Sequence, residues 1–181
     1  MESLTTIPVF IELNNEELEK IKHRGLKSRV KNECNLLYKD YHNVLMDVVP
    51  DKITVTAVEF MNTNNNNIAT SKKRAYKFIL NSHYPFRPPE IYINNTLYSN
   101  MLQMKGKYEK EMVKKIKGQD CLCCHSINCS ANWSPAIKLF HIINEIKDTL
   151  KFKRDIINVL LVDKIKKKYN IPYAYIERYL V

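Results

Sequence analysis

The apolar period changes twice along this chain, and those changes constrain its fold more than any other feature. Leu26, Val30, Cys34, Leu37 and Tyr41 recur at helical spacing and form one stripe, with Lys27, Arg29, Lys31 and Lys39 off it. Ile53, Val55 and Ala57 then alternate with Thr54 and Thr56, which is the period of a strand. Two more strand-like runs follow at 75–81, where Tyr76, Phe78 and Leu80 share a face, and at 90–94. Helical period returns with Ala136, Leu139, Phe140, Ile143, Ile146 and Leu150. Helix, strands joined by short polar links, an irregular segment and then helices is the pattern of an α+β chain built on an antiparallel meander.

The punctuation refines this outline. Asn14 and Asn15, with Glu16 and Glu17 after them, predict a short first helix whose carboxylates sit in its first turn. Gly25 is expected to separate or bend the first two helices. The Asn-rich run at 62–67 predicts a loop tip. Segment 101–117, rich in lysine, reads equally as an exposed helix or a flap. Ser134 and Pro135 read as an N-cap and a first-turn proline opening the helix that follows. From Lys153 the chain is again mostly helical, with Pro172 setting off a last short helix that holds Tyr175 and Tyr179. The predicted division is an N-terminal extension at 1–24 and one domain at 25–181, with 101–117 as an insertion.

Composition limits what such a chain does. At 181 residues, 45% hydrophobic and 27% charged, it has the balance of a soluble domain with a core of its own. No apolar run approaches the ~18 residues of a membrane span, and the acidic N-terminal stretch does not read as a secretory signal. The expected setting is a reducing one, the cytoplasm or nucleus. The five cysteines agree: Cys34 stands alone, and Cys121, Cys123, Cys124 and Cys129 crowd into a segment too short for a disulfide framework. The net charge of +10 points to acidic partners or, more simply, to the Lys-, Asn- and Ile-rich usage of an AT-rich genome, such as that of a parasite or large virus. Apart from Tyr108 the Lys-rich segment lacks interleaved aromatics, which speaks against nucleic acid as the partner.

Two motifs go beyond fold class. Tyr84-Pro85-Phe86-Arg87-Pro88-Pro89 follows a strand directly, and Gly118-Gln119-Asp120-Cys121-Leu122 is followed, after an interval, by Trp133-Ser134-Pro135-Ala136 and a helix. In this order they resemble the ubiquitin-conjugating enzymes. Tyr98, nine residues after Pro89, falls where that family has the Tyr of Tyr-His-Pro-Asn, and Arg29-Val30 with Glu33-Cys34 fits its first-helix pattern. The resemblance covers about 27–150. Departures are plain: Ser99-Asn100-Met101 stands in place of His-Pro-Asn, the segment before Cys121 carries an insertion, and the interval to Trp133 is longer than usual.

The resemblance implies a transferase that accepts ubiquitin, or a ubiquitin-like protein, from an activating enzyme as a thioester on Cys121. It would pass the modifier to a substrate lysine, with a ubiquitin ligase. No cofactor acts at the cysteine, ATP being consumed upstream. Cys124, closer to Trp133, is the rival carrier. Asn100 would support the oxyanion or the loop, and Asp155 would steer the acceptor. Phe86, Pro135 and Ala136 would form the ligase-binding patch, and Lys27, Arg29 and Lys31 the face for the activating enzyme. The chemistry is coherent, because a thiolate nucleophile needs a lowered pKa; Lys115, Lys117 and His125 would lower it, and Asp120 would oppose them. Plainer readings stand beside these: small packing cysteines, Phe86 folded against its own loop, and a solvated helix face for the basic trio. Two further alternatives are a non-catalytic variant that binds ubiquitin or a partner, and a zinc module using Cys121, Cys124, His125 and Cys129.

Overall fold

The computed structural model describes residues 10–41, 43–50, 52–61, 72–119 and 121–170. The expected loop tip at 62–67, Asp120, and the last helix with Pro172, Tyr175 and Tyr179 lie outside the described residues.

Helix α1 (Phe10–Glu19) and helix α2 (Arg24–Asp40) precede the strands β1 (Asn43–Val49), β2 (Lys52–Met61), β3 (Lys72–Asn81), β4 (Glu90–Ile93) and β5 (Thr96–Leu97). These form one five-stranded sheet in the order β1-β2-β3-β4-β5, antiparallel at every pairing. After it come α3 (Tyr98–Met101), α4 (Lys107–Lys117), a 3₁₀ turn (Cys123–His125) and α5 (Leu139–Tyr169). The protein is α+β, as the alternation of periods predicts.

Register explains the core. Met46 pairs with Val55, Val55 with Phe78 and Phe78 with Ile91, so a row of inward side chains crosses four strands. Against that face lie Val30, Cys34 and Leu37 of α2 and Leu139, Ile142, Ile143 and Ile146 of α5, all within one buried cluster. Fully burying an aliphatic side chain of this size stabilises by about 1.5–3 kcal/mol. The opposite face carries Leu45 and Phe60, both exposed, as expected of an antiparallel sheet covered on one side only.

Three expectations need correction, and one left open is resolved. Helix α1 begins at Phe10, so Asn14 and Asn15 lie inside it and do not cap it. Glu17 accordingly sits near its end, where Oε2 accepts the Val48 amide of β1 at 2.8 Å and the other oxygen pairs with Lys20. Gly25 lies within the first turn of α2, and the break between the helices is at 21–23. The Lys-rich segment holds a helix, α4, which ends at Gly118. That glycine is left-handed at φ 77°, and its N–H donates to Lys114 O at 2.8 Å. Space is no constraint there, since a Cβ would meet nothing within 4 Å; the backbone conformation is what favours glycine.

The third correction concerns α5. Ser134 and Pro135 close a turn, with Ala136 N donating to Ser134 Oγ at 3.3 Å, and the helix starts four residues on, at Leu139. Its first amide is satisfied from a distance: Leu139 N donates to Glu33 Oε2 of α2 at 2.9 Å. From there α5 runs 31 residues without a break at Lys153, a rod of about 46 Å. Among the described residues, no helix is long and apolar enough to cross a membrane.

Candidate functional site

Three features converge on the segment that leads into α5. The first is a buried polar knot. Glu33, 1% exposed, accepts the Tyr84 hydroxyl at 2.9 Å and pairs with Arg29 Nε at 2.7 Å, besides capping Leu139. Arg29 also donates to Ile137 O at 2.6 Å and stacks over the Tyr84 ring. A buried carboxylate survives in a core when its oxygens are occupied in this way. The knot ties α2 to the proline-rich loop and to the start of α5.

The second feature grows from the same loop. Trp133 Nε1 donates to Pro85 O at 2.8 Å, and its ring lies 6.3 Å from that of Tyr84. This contact sets the Phe86 loop beside the Pro135–Ala136 turn. Phe86 is 79% exposed, and Pro135 and Ala136 are exposed as well. An unpacked phenylalanine held by a rigid frame is the kind of apolar patch that marks a contact surface. A groove of about 850 Å³ opens next to it, lined by residues including Lys20, His23, Arg29, Lys52 and Phe86. Its lining does not reach the cysteines.

The third feature is the cysteine loop. Leu122 N donates to Leu102 O at 3.3 Å, which seats the loop beside the end of α3. His125 Nε2–H donates to Lys117 O at 3.1 Å and pins the loop to the end of α4. Glu145 of α5 accepts the Ser126 hydroxyl at 2.6 Å, the Ile127 amide, and the Tyr98 hydroxyl at 2.9 Å. Asn132 Nδ2 donates to Cys124 O and Ser126 O at 2.8 and 3.0 Å. On this frame Cys121 Sγ lies 2.6 Å from Cys123 Sγ and 3.9 Å from Cys124 Sγ.

Three of the five cysteines sit in sharply different environments. Contact with Cys123 lowers the Cys121 pKa, and the amides of Cys124 and Cys123 add to this by donating to its sulfur. Cys123, facing that thiolate, is pushed up to about 12. The two share their titration, the first proton leaving easily and the second with difficulty; the amide donors assign the first to Cys121. Cys34 is buried, and burial pushes it up to about 12. The source of the lowering differs from the one expected: the neighbouring thiol and amides act on Cys121, while Lys117 lies over the Phe152 ring and His125 is committed to Lys117 O. A direct consequence is selective alkylation. Near neutral pH, iodoacetamide is expected to modify Cys121 and the exposed Cys124 first, then Cys123, and to spare Cys34 until the chain unfolds. The Cys121 rate should fall as pH drops through its lowered pKa, because only the thiolate reacts. Peptide mapping by mass spectrometry reads the order, and early labelling of Cys123 would contradict it.

The remaining candidates are placed as follows. Asn100 is exposed on α3, and its side-chain amide makes no hydrogen bond among the described residues. Asp155 is exposed on α5. Of the basic trio, Lys27 pairs with Glu19 at 2.7 Å, Arg29 is turned into the polar knot, and Lys31 is exposed. His125 and Cys129 do not join the group of sulfurs formed by Cys121, Cys123 and Cys124. Sequence reasoning passed over Cys123, Glu33 as a tie between elements, and Glu145. Only Cys123 carried a signal, its place within Cys-x-Cys-Cys.

Comparison with protein-family models matched nothing, and comparison with curated proteins and with solved structures gave no significant match.

Proposed function

We propose that this chain is a divergent ubiquitin-conjugating enzyme, carrying ubiquitin or a ubiquitin-like protein as a thioester on Cys121. One observation carries the reading: the cysteine at the offset the sequence motif requires is the partly exposed one whose thiol is lowered. Element order is in keeping with it: the resemblance implies the ubiquitin-conjugating-enzyme fold, with an N-terminal helix, an antiparallel meander and then C-terminal helices, and helices, an antiparallel meander and further helices follow in that order here. The Phe86 loop beside Pro135 and Ala136 supports a ligase-binding patch.

In this mechanism the Cys121 thiolate attacks the thioester carbonyl presented by the activating enzyme. The activating enzyme's thiolate leaves, and the modifier's carbonyl carbon is now bonded to Cys121 Sγ. A substrate lysine amine then attacks that carbon through a tetrahedral oxyanion. Collapse forms the isopeptide bond, expels the Cys121 thiolate and releases the amine proton to solvent. The test is charging with ubiquitin, activating enzyme and ATP, followed on gels with and without reductant. A reductant-sensitive band one ubiquitin heavier supports the reading; its absence from folded protein, with ubiquitin and with ubiquitin-like proteins, would end it.

A second reading is a non-catalytic variant of the same fold that binds ubiquitin or a partner. It is favoured by Asn100, which stands in solvent with no support for an oxyanion. It predicts undiminished binding after the whole cysteine cluster is replaced.

Phe86 separates stability from recognition. Because its side chain is so exposed, Phe86→Ala should change unfolding free energy by no more than about 0.5 kcal/mol. It should also slow ligase-stimulated discharge by about tenfold or more, the loss typical of a hot-spot aromatic. Single-turnover discharge with and without ligase measures this, and equal rates for variant and wild type would remove Phe86 from the ligase face.

A further inference from the structure

We infer that Cys121, Cys123 and Cys124 together form a three-thiolate site for a single zinc ion. Their sulfurs lie 2.6, 3.9 and 3.9 Å apart, with every pair within 4.8 Å. In a tetrahedral zinc site with Zn–S bonds of about 2.3 Å, neighbouring sulfurs are about 3.8 Å apart. Two edges of the triangle therefore already have that length. The third, between Cys121 and Cys123, opens by about 1 Å through rotation of either side chain about χ1.

The backbone around the sulfurs suits the ion. Cys121 and Cys124 have Cys-x-x-Cys spacing across a 3₁₀ turn. The loop is braced from three sides before any ion arrives: Asn132 holds the Cys124 and Ser126 carbonyls, Glu145 holds Ser126 and Ile127, and His125 holds Lys117 O. Three soft, partly or fully exposed donors select a thiophilic cation over magnesium or calcium. Binding bonds Zn²⁺ to the three sulfurs and releases to solvent whatever protons they carried. The fourth position faces solvent and takes water. The ligand set differs from the one the spacing alone suggests, because Cys123 takes the place given to His125 and Cys129.

The inference stands apart from the transfer reading, since metal binding needs no ubiquitin. Where that reading also holds, an ion on Cys121 occupies its lone pairs and removes the nucleophile from service, so zinc competes with charging.

The experiment uses the full chain, reduced and stripped of metal with a chelator. It is titrated with Co²⁺ as a spectroscopic probe and then with Zn²⁺ against a chromophoric chelator. One equivalent of Co²⁺ is expected to give thiolate-to-metal charge transfer and tetrahedral ligand-field bands, which Zn²⁺ then abolishes. Cys123→Ser should weaken Zn²⁺ binding by more than the roughly 100-fold upper range for loss of an outer partner, and Cys129→Ser should leave it unchanged. Circular dichroism of each variant checks that the fold is kept. Absence of charge transfer in folded wild-type protein overturns the site. Loss of binding in Cys129→Ser with retention in Cys123→Ser overturns this ligand set.

Discussion

Replacing Glu33 with alanine is expected to lower the free energy of unfolding by about 3–5 kcal/mol, the range for breaking a buried ion pair from one side. The loss has three sources, each visible in the polar knot. Arg29, with a side chain only 20% exposed, would keep its charge without its partner at 2.7 Å. The Tyr84 hydroxyl would lose its acceptor, and the first amide of α5 would lose its cap. An orphaned buried donor costs about 1–3 kcal/mol by itself. Glu33→Gln keeps the shape and two acceptor contacts while removing the charge, so its cost should be smaller by about 1–2 kcal/mol. Urea denaturation of both variants measures the difference. A loss under about 1 kcal/mol for the alanine variant would mean that α2, the proline-rich loop and α5 hold together without the carboxylate.

The second large effect concerns the carrier. If the chain carries ubiquitin as proposed, Cys121→Ala should abolish the reductant-sensitive adduct altogether, whereas Cys124→Ala should retain most of it. Both sulfurs are reachable, Cys124 being the more exposed, so access alone would favour Cys124. What separates them is the thiolate: Cys121 receives the amide donors and the Cys123 contact that lower its pKa. Cys121→Ser provides the positive control, since a serine carrier would hold ubiquitin as an ester that resists reductant. An adduct surviving Cys121→Ala and lost in Cys124→Ala would transfer the role to Cys124.

Much of this architecture is legible in the sequence where a local period carries it. The stripe of α2 and the alternation of β2 and β3 are such cases, and the burial of Val30, Cys34, Leu37, Val55 and Phe78 follows the pattern. β1 escaped because two of its outward residues, Leu45 and Val49, are apolar too: Leu45, exposed, sits between the buried Val44 and Met46 and hides the alternation. The start of α5 was misplaced because its cap is non-local. Lys138 precedes the helix with no side-chain cap of its own, and the carboxylate that satisfies Leu139 N comes from 106 residues earlier in the chain. No window of sequence contains both ends of that bond. In the candidate site the spacing Cys-x-Cys-Cys was readable, but which sulfur meets which depends on the 3₁₀ turn and its braces at Asn132 and Glu145. The basic trio on α2 shows the same limit. Three cations along one helix look alike in sequence, and only the buried Glu33 distinguishes Arg29 from its neighbours.

The length of α5 has a consequence for time as well as space. Its first half carries Leu139, Ile142, Ile143 and Ile146, all at 0% exposure, whereas its second half keeps only Ile156 and Val162 buried and leaves Ile157, Leu161, Ile165 and Tyr169 exposed. Backbone amides in the first half open to exchange only when the core itself comes apart, but those near Tyr169 rely on local helical cohesion, which is marginal by itself in water. One continuous helix therefore keeps two clocks. Its near end is as slow as global unfolding, and its far end breathes many orders of magnitude faster.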